Sequence, residues 1–281
     1  MNGIIVIDKP AGWTSHDVVA KLRGILHERR IGHGGTLDPM ATGVLPVFVG
    51  RATRAVEFLE NSDKEYIAGI KIGVVTDTQD ITGNVMSTCE CNITAAMLND
   101  ILPEFTGEQE QIPPMYSAIK QNGRKLYELA RKGVEVERKA RRINISELEL
   151  VSAGENEAVL RVVCSKGTYI RTLCHDIGAR LGCGAVMSGL RRTRAGAYTV
   201  ADAVKLEDVS PELLMPVDTV FRSYPSCTAD EQQEKKCRCG AEFDTAEADG
   251  LWRVYGRDGG FLMLGRAESG RMKTVKSFFE V

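Results

Sequence analysis

The hydrophobic period of this chain switches repeatedly between two and 3.6, without a strict strand–helix–strand alternation. Gly3 to Asp8 is a short apolar run that reads as a strand, and Lys9-Pro10-Ala11-Gly12 turns the chain. Thr14 or Ser15 can cap a following helix, whose apolar positions Val18, Val19, Leu22, Ile25 and Leu26 keep a helical period. Gly32 to Gly35 is too rich in glycine for either regular element, so a loop is expected there. Val44 to Val49 predicts a buried strand and Arg51 to Glu60 a second amphipathic helix. In Lys64 to Val75, Tyr66, Ala68, Ile70 and Ile72 share one side of a strand. Thr76 to Asn84 reads as a loop, Asn92 to Phe105 as a helix and Ile112 to Lys120 as a strand despite Pro113 and Pro114. Asn122-Gly123 signals a tight turn before a short helix at Lys125 to Lys132. Strands at Arg142 to Val151 and Ala158 to Cys164, a helix at Ile170 to Leu181 and a strand at Ala185 to Val200 follow. This order predicts an α+β domain on a mixed, mainly antiparallel sheet. Near Arg222 to Pro225 the character changes. Short strand candidates at Leu251 to Tyr255, Phe261 to Leu264 and Thr274 to Phe279 predict a small β-rich second domain. The expected division is therefore 1–222 and 223–281.

Several function classes lose support from composition. No apolar run approaches the roughly 18 residues of a membrane-spanning helix. Asp8 interrupts the first apolar run, so the start resembles the mature start of a cytoplasmic protein rather than a secretion signal. The eight cysteines then read as reduced thiols. Cys89/Cys91 and Cys237/Cys239 have C-x-C spacing, which does not match the C-x₂₋₄-C pairs of structural zinc, so no metal is expected. A zinc-dependent enzyme remains a rival reading. The net charge of -2 argues mildly against nucleic-acid binding, but the basic residues cluster, above all in 120–142. Charge segregated in this way can steer RNA to one face.

The segment Gly32 to Pro46 is the strongest candidate for chemistry. Glycines around His33 free the backbone, and Pro39 pushes Asp38 out of helical geometry. The result is a carboxylate on an irregular loop between hydrophobic elements, suited either to catalysis or to capping a structural turn. Neither the Walker nor the Rossmann phosphate-binding pattern is present.

Gly34-Gly35-Thr36-Leu37-Asp38-Pro39, followed by Ala41-Thr42-Gly43-Val44-Leu45, resembles the signature of the TruB-type pseudouridine synthases. Four more segments agree in order: Val6-Ile7-Asp8-Lys9-Pro10 through Ser15, Lys64-Glu65-Tyr66, Lys166 to Leu173, and Gly189-Leu190-Arg191-Arg192. The resemblance runs over about residues 2–222, and the C-terminal region is similar, more weakly, to a PUA-like appendage. It implies isomerisation of the T-loop uridine at position 55 of tRNA, with no cofactor and no metal. Asp38 would be the nucleophile, attacking either C1′ of the ribose or C6 of the uracil. Arg171 would pair with it, and Tyr66 would stack on the base and serve as general base. Tyr169 would hydrogen-bond in the pocket, Leu190 would pack beside the base, and His33 would occupy the space left by the flipped nucleotide. Lys9 would either contact phosphate or brace the Asp38 loop. The basic segment of about 116–142 would be an RNA-gripping insertion. The T arm of tRNA is the implied partner, bound by a monomer with no obligate protein partner, and help with tRNA folding is a compatible second role. The rivals on the RNA side are a non-catalytic RNA-binding protein of the same fold and a subunit of a guide-dependent rRNA synthase.

Overall fold

The computed structural model describes residues 1–60 and 62–279. Strand β1 (Gly3–Lys9) is buried at all positions but Asp8, because both of its faces are covered. Thr14 then opens helix α1 (Ser15–Leu26) with a capping box: its hydroxyl accepts from Asp17 N, and the Asp17 carboxylate accepts from Thr14 N. Val18, Val19, Leu22 and Leu26 form the buried face of α1, which ends at His27 in the left-handed region. A short strand β2 (Ile31–His33) precedes β3 (Thr42–Val49), and a 3₁₀ turn over Gly50–Ala55 leads into α2 (Val56–Glu60). In β4 (Lys64–Ile72) the alternating set Ala68, Ile70 and Ile72 is buried.

A hairpin of β5 (Val74–Thr76) and β6 (Val85–Thr88) leaves the main sheet, and α3 (Ala95–Ile101) returns the chain to β7 (Gly107–Gln111). The small hairpin β8 (Lys120–Gln121) and β9 (Arg124–Lys125) turns on Asn122 and Gly123, both at positive φ, as a type I′ turn requires. Helix α4 (Leu126–Ala130), strands β10 (Arg141–Ala153) and β11 (Glu157–Cys164), helix α5 (Ile170–Arg180) and strands β12 (Ala185–Ala195), β13 (Tyr198–Thr199) and β14 (Ala203–Val204) complete the first unit. Its sheet runs β14-β1-β3-β12-β4-β11-β10-β7, with β2 added to β3 and β13 to β12. The β1/β14 and β3/β12 pairs are parallel and the others antiparallel. This is the mixed, mainly antiparallel α+β architecture that the sequence predicts.

Three apolar clusters hold the unit. One packs β4, β10, β11 and β12 against α3 and α5. A second packs Ile5 and Ile7 of β1, with β3, against α1. Tyr66 and Leu190 touch both of these, so the sheet between them is the floor of the cleft described below. The third lies behind Ile4, Val6, Val44 and Phe48, and it includes Leu264 and Phe278 of the C-terminal residues.

Those C-terminal residues form their own sheet from β15 (Ser226–Thr228), β16 (Phe243–Asp244), β17 (Gly250–Tyr255), β18 (Phe261–Glu268) and β19 (Arg271–Ser277), with helix α6 (Glu231–Arg238) beside it. Phe221 joins the two sheets, meeting Phe58 at 5.1 Å, Phe278 at 5.7 Å and Phe261 at 6.0 Å between ring centroids. Arg51 donates to the Phe279 carbonyl, and Lys276 Nζ lies 2.5 Å from Glu57 Oε1.

Four expectations are corrected. Gly32 and His33 are not all loop: with Ile31 they pair along β3, His33 opposite Val47. An outer strand tolerates glycine because only one of its edges must be matched. Residues 112–119 form no strand, since Pro113 and Pro114 lack the N–H that a ladder needs; the strand lies just upstream, in β7. The strand expected to reach Val75 stops at Ile72, where Gly73 turns with φ of 83°. Helix α6 has no counterpart in the sequence reading, because Cys237 is its one buried residue and no apolar stripe marks it.

The shared aromatic core makes a stability prediction. Phe221→Ala should destabilise the chain by about 3–5 kcal/mol, measured by urea unfolding, with both sheets lost in one transition. Separate unfolding of the small sheet at lower denaturant would show that the core is not shared.

Candidate active site

Asp38 lies on the loop between β2 and β3, and nearly every backbone group around it is held. Leu37 N donates to Ser15 Oγ at 2.9 Å, and Ser15 Oγ donates back to the Leu37 carbonyl at 3.2 Å. Gly12 N donates to the Pro39 carbonyl at 2.8 Å, and Ala41 N to the Asp38 carbonyl at 3.0 Å. Leu37 and Ala41 are buried on either side. The carboxylate is thereby aimed by anchors that bracket it, while the Asp38 side chain keeps about a third (34%) of its surface open. A group in the cleft can therefore reach it.

Lys9 is the innermost of these anchors. It is wholly buried, and its Nζ donates to the carbonyls of Trp13 (2.5 Å), Pro10 (2.9 Å) and Pro39 (3.2 Å). Of its two sequence readings, this geometry fits the brace. A phosphate contact has no access to it. Burial lowers its pKa from 10.5 to about 8, against the opposing pull of Asp38 and Asp17.

Arg171, on the first turn of α5, grips Asp38 with two edges of its guanidinium: Nε to Oδ2 at 2.9 Å and Nη2 to Oδ1 at 3.3 Å. The same arginine donates from Nη2 to the Tyr116 carbonyl at 2.8 Å and from Nη1 to the Thr78 carbonyl at 3.1 Å. Its Nη1 also lies 3.6 Å from Asp80 Oδ2. Asp80 is buried and accepts from Thr78 Oγ1 and from both the backbone and hydroxyl of Thr82. Two carboxylates therefore share one guanidinium. Burial pushes the Asp38 carboxyl above its ordinary range; Arg171 opposes this and Asp80 adds to it.

These groups open into a cleft of about 1220 Å³. Tyr66 and Leu190 belong to its floor, and their strand positions explain why. Leu190 sits opposite Ala68 and Arg192 opposite Tyr66 in the β12/β4 register, so these side chains project from one face of the sheet. Burial pushes the Tyr66 phenol up, while Arg192 pulls it the other way. Tyr169 forms part of the wall, and Gln111 holds its backbone at both ends: Tyr169 N donates to Oε1 at 2.8 Å, and Nε2 donates to the Tyr169 carbonyl at 3.1 Å. Burial raises the Tyr169 phenol as well. His33 lies at the other end, its ring edge-on to His16 at 6.5 Å and its Nδ1 buried without a hydrogen-bond partner among the described residues. Desolvation holds this imidazole toward its neutral form. Lys125, Arg131, Arg141 and Arg142, from the basic segment, give one wall a positive charge.

The structure thus brings Asp38, Tyr66, Arg171, Tyr169, Leu190 and His33 to one cleft, with Lys9 beneath it. Sequence reasoning missed Asp80, Gln111 and the burial of Arg192. Asp80 sits in a Thr-, Asp- and Gly-rich stretch that reads as an ordinary turn, and Gln111 sits in a polar strand. Among the described residues, no group of three or more His, Cys, Asp or Glu side chains could hold a metal ion, and all eight cysteines are free thiols. No helix among them is long and apolar enough to cross a membrane.

Two family models match the chain. One, TruB family pseudouridylate synthase (N terminal domain), covers residues 23–170; the other, tRNA pseudouridylate synthase B C-terminal domain, covers 171–222. A curated relative, tRNA pseudouridine synthase B of Clostridium kluyveri, is 41% identical over 288 residues, spanning 99% of this chain and 100% of the relative. The protein of the same name from Syntrophotalea carbinolica is 47% identical over 234 residues, 80% of this chain and 76% of the relative. Among solved structures, a chain of a Cbf5-Nop10-Gar1 complex is similar with a TM-score of 0.75 at 27% identity, covering 99% of this chain and 85% of that one. A chain of an H/ACA RNP bound to a substrate RNA containing 2′-deoxyuridine gives a TM-score of 0.73 at 25% identity, with the same coverage.

Lys9 provides a test of the anchoring. Its folded pKa of about 8 lies below its ordinary 10.5, so the folded state releases this proton first. Between those values the unfolded chain binds more protons, and stability rises with pH. Native unfolding free energy should therefore climb relative to that of Lys9→Met from pH 8 to 10.5. A flat difference across that window would show that the ammonium is not depressed.

Proposed function

The chain belongs to the TruB family of pseudouridylate synthases, and from that premise we propose that it isomerises uridine to pseudouridine at position 55 in the T loop of tRNA. The observation that carries this reading is the Asp38 carboxylate, held on two edges by a buried arginine and left open to a cleft that can admit a base. The reaction adds no atoms. It needs a nucleophile to break or bypass the N1–C1′ bond, room for the uracil to turn, and a base to remove the proton from C5.

Asp38 supplies the nucleophile in its ionised form, whether the bond forms at C1′ or at C6. Arg171 fixes the carboxylate and prevents its rotation. Tyr66 and Leu190 offer an aromatic and an aliphatic face to the flipped base, and the Tyr66 oxygen serves as the C5 base. Tyr169 lines the pocket, and His33 occupies the space that the base vacates in the RNA. The basic 116–142 insertion grips the RNA backbone, which offsets the cost of unstacking, about a few kcal/mol. Residues 1–222 would form the catalytic domain and 223–281 a PUA-like appendage that extends the footprint. The enzyme would work in the cytoplasm as a monomer, without metal, cofactor or obligate protein partner. The curated relatives named for tRNA match at 41% and 47% identity, against 27% for the chain of the Cbf5-Nop10-Gar1 complex, which favours tRNA over a guide-dependent substrate.

Tritium release from a tRNA transcript labelled at C5 of uridine tests the reading. The native chain should release label. Asp38→Ala should slow release on the order of 10⁴-fold or more, while tRNA binding by filter retention survives. Because the ionised carboxylate is required and burial raises its pKa, kcat/KM should fall as pH drops, with the acid limb above the ordinary value of 3.8. Tight tRNA binding with no release by the native chain would sink the enzymatic reading and leave a non-catalytic RNA-binding protein.

A further inference from the structure

Arg192 is buried to 1% exposure and is among the largest fully buried side chains. Its Nε donates to the Val44 carbonyl at 2.7 Å and its Nη2 to the Gly35 carbonyl at 3.1 Å. Among the described residues no carboxylate lies within ion-pair distance of it. The arginines around it differ: Arg171 meets Asp38 and Asp80, Arg191 meets Asp8, and Arg161 meets Glu65, Glu147 and Glu149. Removing a guanidinium from water costs several kcal/mol in order of magnitude, and two neutral carbonyls return only part of that.

Gly35 of the Asp38 loop leaves space for this side chain: a Cβ there, where φ is +97°, would lie 3.3 Å from Arg192 Nη1. Gly43 in β3 lets the backbone of Arg192 approach, since a Cβ there would lie 2.2 Å from the Arg192 carbonyl oxygen. The guanidinium lines the cleft, and Arg192 stands directly opposite Tyr66 in the β12/β4 ladder. Burial pushes the Tyr66 phenol up, and the Arg192 charge opposes that push. The other titratable groups facing Tyr66 are Cys164 from β11 and Asp38 from the loop, and Lys64 lies two residues earlier on the same strand. Cys164 is pushed up to about 11 by burial and is a neutral thiol near neutrality. Lys9 from β1 and His33 from β2 also feel the Arg192 charge, and both are lowered in part by it. Arg192 is thus a permanent cation directly across the ladder from a half-buried phenol that faces the cleft.

We propose that Arg192 is the positioning residue for Tyr66, holding the phenol oxygen at the cleft floor and stabilising the phenolate that takes the proton from C5 of the rearranged uracil. The inference rests on the reading of the chain as a pseudouridine synthase. The phenol proton leaves to solvent first. The C5–H bond then breaks, its electron pair becomes the C5=C6 double bond of the product ring, and the proton forms a new O–H on Tyr66. The pair displaced at C6 leaves with the Asp38 carboxylate if the adduct is at C6. If the adduct is at C1′, that pair moves from the C6=N1 bond to N1, which takes a proton from solvent. A fixed cation favours the phenolate without competing for the proton, because a guanidinium does not titrate in this range.

The test compares Arg192→Gln, which removes the charge and keeps planar donors, with Arg192→Lys, which keeps the charge and loses the fork. Single-turnover tritium release at saturating tRNA is followed against pH, with the isotope effect at C5, tRNA affinity and melting temperature measured alongside. Arg192→Gln should slow release on the order of 10²-fold at neutral pH, move the alkaline-side limb to higher pH and increase the C5 isotope effect, with tRNA affinity unchanged. Arg192→Lys should keep the native limb and isotope effect even where its melting temperature falls. In a Tyr66→Phe background the Gln change should add little, since both remove one function. The proposal is overturned if the limb and isotope effect stay native in Arg192→Gln, or if both variants lose rate only in step with melting temperature. Should the Gln variant not fold, an alkaline shift of the limb in Arg192→Lys overturns it equally. Failure of the native chain to release tritium strikes the parent reading instead, so the two failures are distinct.

Discussion

Everything at the cleft depends on one arginine reaching across 133 residues of sequence to a carboxylate. Arg171 is buried, so breaking its pair with Asp38 would strand a charge away from water at a cost of about 3–5 kcal/mol. The pair is also asymmetric. Asp38 and Asp80 compete for one guanidinium, and Asp80 is already served by Thr78 and Thr82. Among the described residues no hydroxyl donates to Asp38 in this way, so its lone pairs stay open to the cleft. The carbonyl of Tyr116 binds the same guanidinium, and Tyr116 begins the basic insertion. Movement of that wall therefore acts directly on the orientation of the partner of Asp38.

The ion pair needs a rigid frame, and strand register provides it. Because side chains alternate at period two, a shift of one residue in β4 would turn Tyr66 away from the floor and expose Ala68, Ile70 and Ile72. The apolar half of the strand thus enforces the position of Tyr66. The loop carrying Asp38 is held from the other side by Ser15 and Lys9, both placed by the first strand–turn–helix segment. The opening segment of the chain is therefore part of the frame of the candidate site, holding the Asp38 loop from behind.

Asp38, Tyr66 and Arg171 are singled out by the motifs that resemble the TruB signature; local pattern alone leaves Asp38 between catalysis and the capping of a turn, and offers a core tyrosine and a surface arginine for the other two. Asp80 was not legible. Its significance lies in proximity to a residue 91 positions away, and Asp, Thr and Gly at that spacing describe any polar turn. Lys9 was ambiguous for a related reason. A lysine after a buried strand normally reaches water, and only three carbonyls converging from separate turns make burial tolerable. Arg192 enters only as the last residue of the Gly189-Leu190-Arg191-Arg192 motif, since composition carries no information about which face of β12 it occupies. The same limit explains the misplaced strand at 112–120, where apolar content outweighed two prolines that cannot donate to a ladder.

Charge follows the same logic of local arrangement over totals. The whole chain carries -2, yet residues 116–142 hold nine Lys and Arg against three Glu, a local excess of six. The remainder of the chain must then be acidic by eight, and residues 228–249 supply seven Asp and Glu against three Lys and Arg, most of that excess lying outside α6 itself. A polyanion approaching such a surface experiences a gradient rather than a mean: it is drawn to the basic 116–142 wall and away from the acidic turns on either side of α6. The Debye length of about 8 Å at physiological salt confines that field to short range. It can therefore orient the last approach of an RNA loop to the cleft, where the Asp38–Arg171 pair waits a few side chains further in.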